Sequence, residues 1–392
     1  MYSNSLKVIS GFGLISSLLF LIFSFINRIL LPFGDEPDFT VRAPRLLYGD
    51  HPIWTPYYMF HDILVKLNPF SMCNIKASPT SLFAFIGANC TENLEQILIR
   101  FFIVFIVTLP LLYAVTFRKS FVVIMNFFRL KLTTFEWNTR LDTLSIALIF
   151  PSILYYLGIF AEEQLTLVLS LFVFLFWDSF FLISLIVFLI MSIDFGNSIV
   201  VITFILFGYF FSLVAKKISL KISMVLMLGI ILFAFIIGFT FLTYLENVSF
   251  LAQKAQAMYS KGLNFENKYP VILRPIVTFM TAVFMTPSGV KIILLYLIYA
   301  PVLVFTIHKL NIVRKKINTK EFNRKYILFF SVFTTILFFV FLFPDYSFAK
   351  YYVFMLPFII FVIISLFDKL KVWRFIIATN LIIYFHLILY RI

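Results

Sequence analysis

The chain has 392 residues, 62% of them hydrophobic and 13% charged, where a soluble domain carries about a quarter. With a mean hydropathy of +1.02, that composition excludes a soluble globular enzyme and describes a polytopic membrane protein. The net charge of +14 comes from cations gathered in loops, as the positive-inside rule requires, so it does not point to nucleic acid as a partner. Apolar stretches of roughly 20 residues recur without period-2 alternation, so the spans are read as helices and not as a barrel. The expectation is a single all-α transmembrane domain over residues 1–392 with about 11 transmembrane helices.

Taken in order, the first stretch, residues 8–33, is too long for a signal-peptide core and has no small-residue cleavage site. It reads as a retained anchor with a cytoplasmic N-terminus, delivering Asp35 to the outer side. Residues 34–96 form the longest polar excursion, a first outer loop in which Trp54, Tyr57, Tyr58, Phe60 and Phe70 predict interfacial helices. Cys73 and Cys90 both fall in it. A Cys73–Cys90 disulfide would contribute about 3 kcal/mol in the chain-entropy model; two unpaired thiols are the alternative.

Span two, 97–117, returns to Arg118 and Lys119. Residues 121–142, with Arg129, Lys131 and Arg140, read as a cytoplasmic interfacial helix, and span three, 143–160, ends on Glu162 and Glu163. Residues 165–193 form either one tilted span or a hairpin broken at Trp177 and Asp178. The hairpin puts Lys216, Lys217 and Lys221, after the span 198–215, in the cytoplasm, so the positive-inside rule selects it. Span seven, 222–244, leads to a second outer loop, 245–290. Span eight, 291–307, returns to a basic cytoplasmic loop, 309–325, with seven cations in 17 residues. Spans nine to eleven follow at 326–343, 351–367 and 375–390.

The densest chemistry lies just after the first span, where Asp35, Glu36 and Asp38 stand among prolines. At a membrane boundary the lowered dielectric raises a carboxylate's pKa, which suits a base that takes a proton from an attacking hydroxyl. The same acids suit a divalent cation, Mg or Mn, with Asp35 and Asp38 as its ligands. A solvated turn capped by Asp and Pro is the plain alternative.

Arg42 and Arg45, three apart, share a face if helical and suit a phosphate, or else pair with neighbouring acids and headgroups. His51, beside Asp50, is a further candidate, whereas His61, His308 and His386 read as structural. Glu162 or Glu163 can join an outer-face site or simply mark the water line. Arg274 and Lys350 are outer-face cations suited to the phosphate of a lipid carrier, or to snorkelling among headgroups. No P-loop, dinucleotide-binding glycine motif, Cys/His metal cluster or serine elbow is present in the sequence, so nucleotide binding and serine hydrolysis have no support.

Asp35-Glu36-Pro37-Asp38 after the first span, then an arginine-bearing segment, Leu46-Leu47-Tyr48-Gly49-Asp50-His51-Pro52 and a long outer loop, resembles the GT-C class of membrane glycosyltransferases. Lys350-Tyr351-Tyr352 followed by Leu356-Pro357 is similar to the basic-Tyr and Leu-Pro pattern near the last spans of that class. The resemblance implies a polyprenyl-phosphate-linked sugar donor and catalysis on the outer face. It puts Asp35 or Glu36 at the catalytic acidic position, with cations holding the leaving phosphate. The chain departs from the class in its short length, in having no C-terminal soluble domain, and in carrying Lys350 where arginine is common.

A Wzy-type O-antigen or capsule repeat-unit polymerase is the competing reading, and it uses the same class of polyprenyl-linked sugar or oligosaccharide. A lipid-linked oligosaccharide flippase is the third, but transporters show repeated halves and mid-membrane charges, whereas these charges crowd one surface. The expected setting is a bacterial inner membrane with the site facing the periplasm, among membrane lipid and other polysaccharide-assembly proteins. The sequons at Asn89 and Asn247 leave a eukaryotic secretory membrane open.

Overall fold

The computed structural model describes residues 9–30, 92–127, 134–158, 162–245, 273–284, 293–316, 320–342 and 349–391. Among these the regular structure is entirely helical, as expected of a chain whose backbone polar groups must be satisfied away from water. The helices are α1 (Gly11–Leu30), α2 (Glu92–Thr116), α3 (Arg118–Phe127), α4 (Thr134–Ala147), α5 (Pro151–Gly158), α6 (Glu162–Leu175) and α7 (Phe180–Ile193). They continue with α8 (Phe195–Lys217), α9 (Leu220–Leu245), α10 (Arg274–Phe284), α11 (Ile293–Lys316), α12 (Lys320–Leu342), α13 (Leu356–Leu366) and α14 (Lys369–Arg391). Two short 3-10 turns, Ala349–Tyr351 and Val353–Met355, precede α13.

The chain divides into two compact units, Met1–Phe195 with Trp373–Ile392, and Gly196–Val372. In the first, α1 and α2 cross so closely that a Cβ on Gly13 would lie 1.8 Å from the Val115 carbonyl oxygen. The Ser10 amide donates to the Thr116 carbonyl at 2.9 Å, and the Ser17 and Thr116 hydroxyls bond to each other at 2.9 Å. Small residues at a crossing of apolar helices allow this backbone approach. Residues of α14 pack here too: Tyr384 lies against Phe23, and the Trp373 indole donates to the Ser16 hydroxyl at 3.1 Å.

Several helices are broken. The pair α2–α3 bends by 93° at Phe117, and α4–α5 bends by 76° across 148–150. Pro151 opens α5, where a residue with no N–H to give is tolerated at a helix start but cannot continue the preceding one. The expected single span 143–160 is therefore two helices at an angle. By contrast, 162–193 forms α6 and α7 packed against each other across the turn 176–179, as the hairpin reading expected. The Ser179 hydroxyl caps α7 by accepting from the Leu182 amide.

In the second unit α9 packs along α12, which in turn meets α13. Phe211, Met227 and Ile327 form a core cluster, and the Ser223 hydroxyl ties α9 to the Phe211 carbonyl of α8 at 3.0 Å. Phenylalanine supplies much of the contact: Phe204 meets Phe358 at 4.7 Å between ring centres, and Phe235 meets Phe341 at 5.2 Å. Offset and edge-on rings of this kind add to their area burial.

Three helices among the described residues are long and apolar enough to cross a membrane: Gly196–Lys217, Leu220–Ile237 and Phe322–Leu342. Counting each bent pair as one span brings the number to five. The expected count of eleven is not confirmed, because several apolar stretches form helices of only 10–17 residues. The exposure of Phe180, Phe181, Val225 and Ile236 is compatible with helices that face hydrocarbon.

Candidate functional site

The expected site divides between residues the structure describes and residues it does not. Asp35, Glu36, Asp38, Arg42, Arg45, His51 and both cysteines lie outside the described residues, while α1, which leads into them, ends at Leu30. Among the described residues no group of three His, Cys, Asp or Glu is placed to hold a metal.

α6 opens at Glu162, and the carboxylate of Glu163 in its first turn is stabilised by the helix N-terminus. Glu163 is half-buried, and the Thr166 hydroxyl donates to its carbonyl at 3.0 Å. Next to it, fully buried Gln164 donates to the Leu157 carbonyl at 2.7 Å and so caps the end of α5. These positions belong to the first unit, whereas Arg274, Lys350 and Tyr351 belong to the second.

Arg274 opens α10 and is 2% exposed. Burial lowers its guanidinium pKa below the ordinary value, yet arginine remains a cation at any physiological pH. At 11 residues α10 is too short to cross, and it packs on α12, with Phe279 against Phe333 at 5.1 Å between ring centres. It also packs against the turn Ala349–Tyr351. In that turn half-buried Lys350 holds its Nζ 5.4 Å from the Tyr351 ring centre, a cation–π contact. The structure thus brings the elements carrying three of the predicted residues, Arg274, Lys350 and Tyr351, into contact, although 75 positions separate Arg274 from the start of the turn, residue 349. Both cations are suited to an anionic group: arginine as a planar fork, lysine as a point charge.

No protein-family model, curated protein or solved structure matches the chain. The functional reading therefore rests on the residues themselves.

Sequence reasoning missed a polar network in the first unit. Arg118 at the α2–α3 bend donates to Asp142 at 2.5 Å, to the Ser145 hydroxyl at 3.1 Å and to the Val115 carbonyl at 3.1 Å. Arg140 pairs with Asp178 and donates to the Leu175 carbonyl at 2.7 Å. On the sequence alone Arg118 reads as a span terminus, Arg140 as an interfacial cation and Asp178 as a hairpin break. The available signal was the presence of matched charges, Arg140 with Asp142 on one helix and Asp178 in an apolar run, since ionisable groups near hydrocarbon need partners.

Proposed function

We propose that this chain is a membrane glycosyltransferase of GT-C type, moving a sugar from a polyprenyl-phosphate- or polyprenyl-diphosphate-linked donor to a glycan or lipid-linked acceptor. In this reading it works on the outer face of a bacterial inner membrane, in surface-polysaccharide or lipopolysaccharide synthesis. The arrangement has about 11 spans, with 34–96 and 245–290 outside and 309–325 in the cytoplasm. Asp35 or Glu36 takes the proton of the acceptor hydroxyl as its oxygen bonds to the anomeric carbon. The bond from that carbon to the donor phosphate breaks, and the polyprenyl phosphate leaves with the electron pair, its charge met by cations.

The observation that supports this reading is the packing of α10, with its buried Arg274, against the turn that carries Lys350 and Tyr351. Two cations on touching elements of the second unit suit a leaving phosphate.

The test is to analyse lipid-linked glycans and surface polysaccharide in cells carrying Asp35→Asn or Glu36→Gln, with the protein level checked. A glycan lacking one sugar or branch is the expected result. Accumulation of single lipid-linked repeat units would instead make the chain a repeat-unit polymerase, and an unchanged pattern would remove these acids from the reaction.

A further inference from the structure

The first unit carries a groove of about 440 Å³ between α1 and α2, a volume in the range of ligand-binding clefts. Leu14, Leu18 and Leu21 form one wall, and Phe105, Leu109 and Phe117 belong to the other. The hydroxyls of Ser17 and Thr116, which also line it, are bonded to each other, so the groove suits hydrocarbon and gives a sugar little to bind. It lies along the earlier half of α1, away from the end that leads to Asp35.

One end of the groove is basic and aromatic. Phe117 marks the 93° bend, and Arg118 and exposed Lys119 follow it. Arg118 lies 5.9 Å from the Phe12 ring centre, and Trp373 packs on that same ring at 5.7 Å. Exposed Arg374 comes next in α14. Arg118 is committed to Asp142, Ser145 and the Val115 carbonyl; among the described residues, exposed Lys119 follows it in α3 and exposed Arg374 follows Trp373 in α14. A tryptophan next to lysine and arginine is characteristic of the headgroup level of a bilayer.

We propose that this end of the first unit binds an anionic glycerophospholipid, with one acyl chain in the α1–α2 groove and its phosphate on Lys119 and Arg374. Charge complementarity selects an anionic headgroup over a zwitterionic one, and the position along α1 separates this site from a donor site near Asp35. The proposal does not depend on the glycosyltransferase reading.

Native mass spectrometry of the full-length protein in detergent tests it, with phosphatidylglycerol, phosphatidylcholine and a polyprenyl phosphate added in turn. The wild type should retain phosphatidylglycerol over phosphatidylcholine. At about 1 kcal/mol per surface cation, Lys119→Gln with Arg374→Gln should weaken phosphatidylglycerol retention about thirtyfold. Leu109→Trp, at an exposed position in the groove wall, should reduce retention of phosphatidylglycerol with both cations intact. Equal retention of the two phospholipids by the wild type, or full retention by the double variant, would overturn the proposal. So would displacement of phosphatidylglycerol by an equal concentration of polyprenyl phosphate.

Discussion

Replacing Gly13 by alanine puts a methyl carbon 1.8 Å from the Val115 carbonyl oxygen, 2.7 Å from its carbon and 3.3 Å from the Thr116 nitrogen. All three are backbone atoms, so no side chain can swing aside. An ordinary carbon–oxygen contact begins at about 3.3 Å, so α1 and α2 must part by about 1.5 Å. That movement stretches two bonds of 2.9 Å, Ser10 to Thr116 and Ser17 to Thr116, beyond hydrogen-bond range. Overpacking costs about 1–3 kcal/mol, and the hydroxyl pair about 0.6 kcal/mol in a membrane setting. The better helix propensity of alanine offsets about 1 kcal/mol, which leaves a net loss of about 2 kcal/mol. Unfolding in mixed micelles with increasing denaturing detergent, followed by circular dichroism, measures it. Gly229→Ala is the control, because a Cβ there meets nothing within 4 Å and should be neutral or slightly stabilising. A Gly13→Ala midpoint equal to that of Gly229→Ala would refute the close crossing.

Asp178→Leu should cost about 3 kcal/mol, because it leaves Arg140, with a side chain 8% exposed, without its carboxylate; adding Arg140→Met should recover most of the loss. The check is the thermal midpoint of the single and double variants. Asn380→Leu removes the donor that reaches the Ile149 carbonyl at 2.7 Å and should cost about 1–2 kcal/mol by the same assay. If the donor phosphate sits at Lys350, Lys350→Gln should lower sugar transfer roughly a hundredfold in membranes supplied with labelled lipid-linked sugar. The unfolding midpoint should hold, and Lys350→Arg should keep most of the activity.

Part of this fold was legible in advance. The expected spans 198–215 and 222–244 appear as Phe195–Lys217 and Leu220–Leu245, because long apolar runs ending in lysines state their own limits. The hairpin at 176–179 followed from asking which side those lysines occupy. The bends were harder, since hydropathy counts apolar residues and carries no direction. Pro151 was a visible signal for the break before α5, but the 93° turn at Phe117 has no proline at the bend, and Pro110 sits within α2 without ending it. Arg118 and Asp142 are 24 positions apart, and the contact of α10 with 349–351 spans far more. Pairings at such separations come from tertiary packing, which no local pattern reports.

The breaks also explain what the polar residues in the apolar segments are for. A helix end away from water leaves carbonyls that must find donors. At the end of α2 the Val115 carbonyl accepts from Arg118, and past α4 the Ile149 carbonyl accepts from Asn380. At the end of α5 the Leu157 carbonyl accepts from Gln164, and at the end of α6 the Leu175 carbonyl accepts from Arg140. In the second unit Lys309 repeats the device, donating to the Leu366 carbonyl of α13 at 2.6 Å while resting 4.0 Å from the Phe367 ring centre. Five donors at five helix ends make a structural role the economical account of these side chains, so an ionisable group in an apolar stretch of this chain is not by itself a mark of chemistry. That separates two classes of variant. Substitutions at Arg118, Arg140, Gln164, Asn380 or Lys309 should lower stability first, and the proposed sugar transfer only in proportion to folded protein. If Asp35 is the base of the proposed reaction, Asp35→Asn should do the reverse, abolishing transfer at an unchanged unfolding midpoint.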